Sequence, residues 1–150
     1  MAIRTIVFDW IGTLYERDKG PFPKSQEVLE TLAIHYRMGL ISLTSNISRR
    51  EAEIMDSGLW KHFQYVQACT EKNASEYWKC MNKLNSLPEA TLVVDDRTIR
   101  GIQIGNRLGC QTCWIEQGEH ANETPNDETG NPTYSIQSIG ELPALLSKSI

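Results

Sequence analysis

Val7-Phe8-Asp9-Trp10-Ile11-Gly12-Thr13-Leu14 decides how the rest of the chain is read. An apolar run stops at a carboxylate and then breaks at a glycine. Ile3 to Phe8 is apolar and rich in β-branched residues, without polar alternation, which predicts a strand buried on both faces of a parallel sheet. Asp9 then stands at the carboxyl end of that strand. In an open α/β sheet this is the edge where ligands bind. Two positions later, where a second acid would make chemical sense, the residue is Ile11.

The same rhythm repeats outward. A polar, turn-rich stretch runs from Gly12 to Pro23. A helix is expected from Ser25, with Val28, Leu29, Leu32 and Ala33 at helical spacing and Gly39 as its end. Leu40 to Leu43 reads as a second strand and Ser48 to Met55 as a short helix, with Ser48 as N-cap and Glu51 three residues on. Tyr65–Cys69, Thr91–Val94 and Gln111–Ile115 read as further strands. Ala74–Leu84 and Ile99–Leu108 read as helices, the latter closed by Gly109. Gly118 to Pro132 is a polar surface loop, Tyr134–Ile136 a short edge strand and Ile139–Leu146 a terminal helix. Strands alternating with helices predict a single α/β domain over residues 1–150. Its sheet is doubly wound, mostly parallel and five- or six-stranded.

Composition narrows the function. A net charge of -4 without a basic stripe argues against nucleic acid as a partner. No apolar run is long enough to span a membrane. Met1-Ala2-Ile3-Arg4 leads directly into a strand, so no secretory signal and a cytoplasmic location are expected. Cys69, Cys80, Cys110 and Cys113 are then expected to be free, buried thiols. Cys110 and Cys113 form a C-x-x-C, but no second pair stands at zinc spacing, and the segment reads as the start of a strand. His35, His62 and His120 are too scattered for a metal cluster. The N-x-S/T triplets at Asn46, Asn73 and Asn122 are chance matches in such a compartment.

The residues just past each strand converge on one edge. Asp9 follows the first strand, Thr44, Ser45 and Asn46 the second, and Asp95 and Asp96 the fourth. Lys72 precedes the helix after the third. A carboxylate can attack phosphorus and hold the phosphoryl group as an acyl phosphate. Paired carboxylates and a main-chain carbonyl suit Mg²⁺. A lysine, a hydroxyl and backbone N–H groups suit a phosphoryl anion. A receiver-like phosphoacceptor domain would share this α/β logic, but Asp9 on the first strand and the Gly12-Thr13-Leu14 flap argue against it.

In these motifs the sequence resembles the haloacid dehalogenase-like hydrolases. Asp9-Trp10-Ile11-Gly12-Thr13-Leu14 is similar to their D-x-D-G-T-L, and Ile41-Ser42-Leu43-Thr44-Ser45-Asn46 to the strand ending in Ser or Thr. Glu71-Lys72-Asn73-Ala74 resembles their lysine motif and Leu92-Val93-Val94-Asp95-Asp96 their terminal acidic pair. Gly101 to Gly109 with Thr112 and Trp114, and the tail from Gly118 to Leu142, resemble the phosphatase-like branch. The resemblance implies a catalytic set of Asp9 as nucleophile with Ser45 and Lys72, which also bind the phosphoryl group together with Asn46 and Trp10. It implies that Asp9, the Ile11 carbonyl and Asp96 hold Mg²⁺, with Asp95 as an auxiliary metal partner. Trp10 has two readings, an aromatic wall beside the substrate or packing against the flap.

Three departures qualify that expectation. Ile11 replaces an acid that protonates the leaving oxygen and activates water, help worth about 10²–10⁴-fold. Asp9 to Ser45 spans 36 positions and Ser45 to Lys72 only 27, too few for a cap domain. Arg100 sits four places after Asp96, where relatives carry Asp or Asn; it either weakens metal binding or adds a cation near the phosphate. The expected protein is therefore an uncapped Mg²⁺-dependent phosphatase with impaired acid–base chemistry. Its substrate is a small phosphorylated metabolite or a phosphorylated macromolecule, and a second copy of the chain could roof the open site. The alternative is a degenerate relative that binds a phosphorylated ligand or a protein partner without turnover.

Overall fold

The computed structural model describes residues 2–148. Its sheet is built from β1 (Thr5–Phe8), β4 (Arg37–Leu43), β5 (Tyr65–Cys69), β6 (Thr91–Asp95), β7 (Gln111–Ile115) and β8 (Tyr134–Ile136), in the order β5-β4-β1-β6-β7-β8. Every pairing is parallel. Two further strands, β2 (Tyr15–Glu16) and β3 (Gly20–Pro21), form a small antiparallel hairpin, the flap. The sheet is thus six-stranded and wholly parallel, and no cap domain interrupts it among the described residues.

Burial on both faces follows from the pleat, which sends successive side chains to opposite sides. Ile6, Phe8, Leu40, Leu92 and Val94 point into one apolar cluster, with Val28, Leu29 and Leu32 of α1 (Ser25–Leu32), Ile54 of α2 (Ile47–Ser57) and Leu142 and Leu146 of α5 (Leu142–Ser147). Val7, Ile41 and Val93 point into the other, under Tyr77, Cys80 and Met81 of α3 (Ala74–Lys83). α4 (Gln103–Leu108) contributes the half-buried Ile104 to the same side. Each fully buried Ile, Leu or Phe stabilises the fold by about 1.5–3 kcal/mol. Both faces are therefore anchored, and the strand ends are held at one common edge.

Several local expectations are corrected. Gly39 does not end the first helix, which stops at Leu32; it lies inside β4. A Cβ at Gly39 would come within 2.4 Å of Cys80 Sγ, so the missing side chain lets α3 press against the strand. Ser48 is not the cap of the second helix. Asn46 is, its side-chain oxygen accepting the Arg49 N–H at 3.1 Å. The helix expected from Ile99 opens with a π-helical turn, Thr98–Ile102, before α4 begins. Gly109 closes α4 at φ 87° as expected.

The four cysteines are free and buried. Cys110 and Cys113 fall in different apolar clusters, on opposite faces of the sheet, because an odd separation along a strand divides them. Burial pushes both thiols up to about 12, which disfavours the thiolate form that metal binding and redox exchange use. No helix among the described residues is long and apolar enough to cross a membrane.

Candidate active site

The carboxyl edge of the sheet gathers Asp9, Lys72, Asp95 and Asp96. Lys72 Nζ donates to Asp9 Oδ1 at 2.8 Å and lies 3.4 Å from Asp95 Oδ2, with its side chain only 2% exposed. The Thr13 hydroxyl lies 3.4 Å from Asp9 Oδ2. Burial opposes charge on Asp9, but the Lys72 ammonium outweighs it and holds the carboxyl below its ordinary range. Lys72 is desolvated too, and the carboxylates of Asp9 and Asp95 keep it firmly protonated.

Asp95 is placed as a brace. Its Oδ1 accepts the Arg97 N–H at 2.9 Å, and its Oδ2 accepts the Gly101 N–H at 3.0 Å as well as facing Lys72. A Cβ on Gly101 would fall 2.2 Å from that oxygen, so only glycine lets the π-helical turn close over it. Burial and the Asp9 charge raise Asp95 to about 6. Asp96 differs: its Oδ1 is buried without any hydrogen-bond partner. Burial and the charges of Asp9 and Asp95 push it up to about 10.

One oxygen from each of Asp9, Asp95 and Asp96 lies within 4.8 Å of the others. Ionising all three carboxylates against one ammonium would leave two negative charges in a nearly dry place, which is why Asp96 holds its proton without a cation, and its unpartnered oxygen costs free energy there. An all-oxygen donor set with that charge fits a hard divalent cation such as Mg²⁺. The flap turn leaves a further donor. The Trp10 carbonyl accepts from the N–H groups of Thr13, Leu14 and Tyr15, and the Tyr15 carbonyl accepts from Gly12; the Ile11 carbonyl enters none of these bonds. Gly12 makes the turn at φ 86°, and a Cβ there would sit 2.1 Å from Asp96 Oδ2.

Asp9, Asp95 and Asp96 form the floor of an open pocket of about 600 Å³, with Lys72 buried behind them. Ser45 and Thr44 lie on its wall, as does the half-buried side chain of Ile11. Asn46 borders an adjoining recess of about 240 Å³, but its side-chain oxygen is used as the helix cap. Trp10 is a correction. It is fully buried, stacks on Tyr15 at 4.9 Å and donates from Nε1 to Glu53 Oε1 at 2.8 Å. It packs under the flap and forms no wall of the pocket.

Sequence reasoning missed most of the rim. Arg17 comes from the flap, Arg50 from α2, Arg97 from the segment after β6, and His120 from the loop after β7. Arg50 donates to Ser42 Oγ at 2.6 Å and to the Leu43 carbonyl at 3.0 Å, with Glu53 at 3.2 Å. Glu123 ties the long loop down, accepting from Arg97 Nε at 3.0 Å, the Thr98 hydroxyl at 3.2 Å and the Ile99 N–H at 3.2 Å. Burial disfavours its charge, yet that N–H and the Arg97 guanidinium hold it below the usual range. The only signal for this in the sequence was an acid in a polar loop.

The family described as HAD-hydrolase-like matches residues 72–142, a little under half of the chain, the part that carries Lys72, Asp95 and Asp96. The chain has the fold of the haloacid dehalogenase-like hydrolases. Solved structures of that fold superpose on 84–99% of the chain. A 2-haloacid dehalogenase from Pseudomonas syringae pv. Tomato DC3000 has a TM-score of 0.81 at 13% identity, over 99% of this chain and 100% of its own. An uncharacterized protein from Listeria monocytogenes serotype 4b has a TM-score of 0.76 at 17% identity, over 97% and 99%. YfnB of Bacillus subtilis, solved bound to magnesium, has a TM-score of 0.68 at 21% identity, over 84% of this chain and 56% of its own. No curated protein matches the sequence. At these identities the likeness to solved structures shows the shared haloacid dehalogenase-like core. Roles for individual residues rest on the geometry above.

Proposed function

We propose that the chain is a Mg²⁺-dependent phosphohydrolase that works through an aspartyl-phosphate on Asp9. The observation that carries this reading is the ionised Asp9 carboxylate, held by Lys72 at the floor of an open pocket beside the unpartnered oxygen of Asp96. Asp9, Asp96 and the Ile11 carbonyl would hold Mg²⁺, which supplies charge neutralisation and orientation of phosphoryl oxygens. Ser45, with the backbone N–H groups around it, takes the remaining phosphoryl oxygens. Lys72 keeps the Asp9 carboxylate ionised and orients it.

An Asp9 oxygen forms a bond to phosphorus while the bond to the leaving oxygen breaks. The phosphoryl group is then an acyl phosphate on Asp9. Water attacks phosphorus, the bond to Asp9 breaks, and phosphate leaves with the carboxylate restored. The leaving oxygen needs a proton in the first half and the attacking water must lose one in the second. Ile11 offers only hydrocarbon to either transfer. Acyl phosphates, whose leaving group is stable as an anion, are therefore the preferred substrates, and ordinary esters turn over slowly. The open pocket admits a small metabolite or a phosphorylated macromolecule.

The test is an assay of acyl-phosphate and phosphate-ester substrates with and without Mg²⁺. Turnover is expected to need the metal and to vanish in Asp9→Asn. Ile11→Asp is expected to raise ester turnover about 10²-fold or more. Turnover that survives Asp9→Asn would overturn the reading. Phosphate-ligand binding without turnover, indifferent to Mg²⁺, would make the chain a non-catalytic binder instead.

A further inference from the structure

We infer that the pocket recognises a second anionic group on its ligand, a carboxylate or a second phosphate, through the guanidinium groups of Arg100 and Arg17. The inference rests on the reading of the floor as a phosphoryl site and names the class of molecule that site takes.

The pocket carries positive charge that the protein leaves unused. Four arginines face the pocket, Arg17, Arg50, Arg97 and Arg100. Two are committed. Arg50 is fixed by Ser42, the Leu43 carbonyl and Glu53, and Arg97 is held by both Glu123 oxygens. The other two are available. Arg17 meets only Glu119 at 3.5 Å, with side chains 60% and 58% exposed, a pair that water and salt screen to little worth. Arg100 is half-buried on the π-helical turn, and among the described residues its side chain has no partner. A guanidinium left unpaired on a pocket wall is a ready fork for a planar carboxylate or a phosphate.

Size and lining point the same way. The pocket's volume, about 600 Å³, far exceeds what a phosphoryl group fills. Beyond the floor, Ile11 and Leu43 are the aliphatic side chains on the lining, and four arginines stand beside them. On the floor, Lys72 and one divalent cation would together balance the three carboxylates once ionised. The rim guanidinium groups are surplus to that balance, and they come from two separate segments, the flap for Arg17 and the π-helical turn for Arg100. Arg17 borders the adjoining recess beside Ser45 as well, which extends the cationic wall past the phosphoryl position.

The test uses the full chain carrying Asp9→Asn, to stop turnover, with Mg²⁺ in excess. Ethyl phosphate, its analogue ending in a carboxylate and its analogue ending in a second phosphate are titrated by calorimetry. At least one of the two analogues that carry a second anionic group is expected to bind about ten-fold tighter than ethyl phosphate. Adding Arg100→Gln should erase that gain while leaving ethyl phosphate affinity unchanged; Arg100→Lys should keep part of it, and Arg17→Gln should remove a smaller share. Because Arg100 has no protein partner, its variants should melt at the parent temperature. Equal affinity for all three ligands overturns the inference. So does an Arg100→Gln that weakens ethyl phosphate as much as its analogues, which would place Arg100 on the phosphoryl group itself. Binding of none of them overturns both the inference and the floor beneath it. A retained preference in a chain that turns nothing over would leave the inference standing and defeat the phosphohydrolase reading alone.

Discussion

At the floor of the pocket, Asp9 is held at 2.8 Å by an ammonium that is almost wholly buried; at the rim, Arg17 reaches Glu119 at 3.5 Å with both side chains in solvent. The floor is packed and multiply bonded, and its charges are tied to folding. At the rim, Arg17 is solvated and Arg100 half-buried, so these two charges are free to exchange partners with a ligand. One pocket thus combines a preorganised reacting centre with an adaptable recognition edge, and the two regions should respond differently to the same kind of change.

The largest contrast should come from removing one cation in each region. Lys72→Met strands two buried carboxylates and should cost about 3–5 kcal/mol of stability in urea unfolding without metal. Arg17→Gln should stay within about 0.5 kcal/mol. Similar losses in both would break the distinction. Gly12→Ala comes next. It forces a side chain into a φ of 86° and against Asp96, and should cost about 1–3 kcal/mol while weakening Mg²⁺ binding.

The pH dependence of the metal-free protein sharpens the comparison further. Asp95 and Asp96 bind their protons more tightly folded than unfolded, so they favour folding while protonated. That contribution is complete below the ordinary carboxylate value of 3.8 and is lost as pH rises, up to about 6 for Asp95 and about 10 for Asp96. Thermal melts without metal should therefore show stability falling from mildly acidic toward alkaline pH, and Mg²⁺ or Asp96→Asn should flatten the decline. A metal-free curve that rises over that range would contradict the floor's electrostatics. The smallest expected effect is Trp10→Phe. Losing the bond to Glu53 should cost about 1 kcal/mol, with kcat/KM unchanged because Trp10 lies outside the pocket.

This division between floor and rim is also the division between what could be read from the sequence and what could not. Asp9, Asp95 and Asp96 end apolar runs, and Lys72 opens a helix, so local pattern alone places them at one sheet edge. The alternation of Ile6 and Phe8 against Val7 is set by the pleat and needs no partner to be known. The rim depends on loops distant in sequence: Arg17, Arg50, Arg97 and His120 meet only once the sheet is assembled. The local errors have the same origin. Gly39 follows a polar helix and so looks like its stop; its actual role is visible only from Cys80, across the packing of α3 on β4. Ser48 and Asn46 are both able caps, and the S-x-x-E spacing favours the one the chain does not use. Trp10 beside the nucleophile invites a place in the site, yet Glu53 and Tyr15 draw it under the flap.

The central claim is that Asp9 carries the phosphoryl group and that Ile11 leaves it slow to depart. The direct measurement is intact-protein and peptide mass spectrometry after incubation with acetyl phosphate and Mg²⁺ and an acid quench. A single phosphoryl adduct on the peptide containing Asp9 is predicted, accumulating in the unaltered chain, depleted in Ile11→Asp and missing in Asp9→Asn. Phosphate release with no adduct on that peptide, or an adduct that persists in Asp9→Asn, would contradict it.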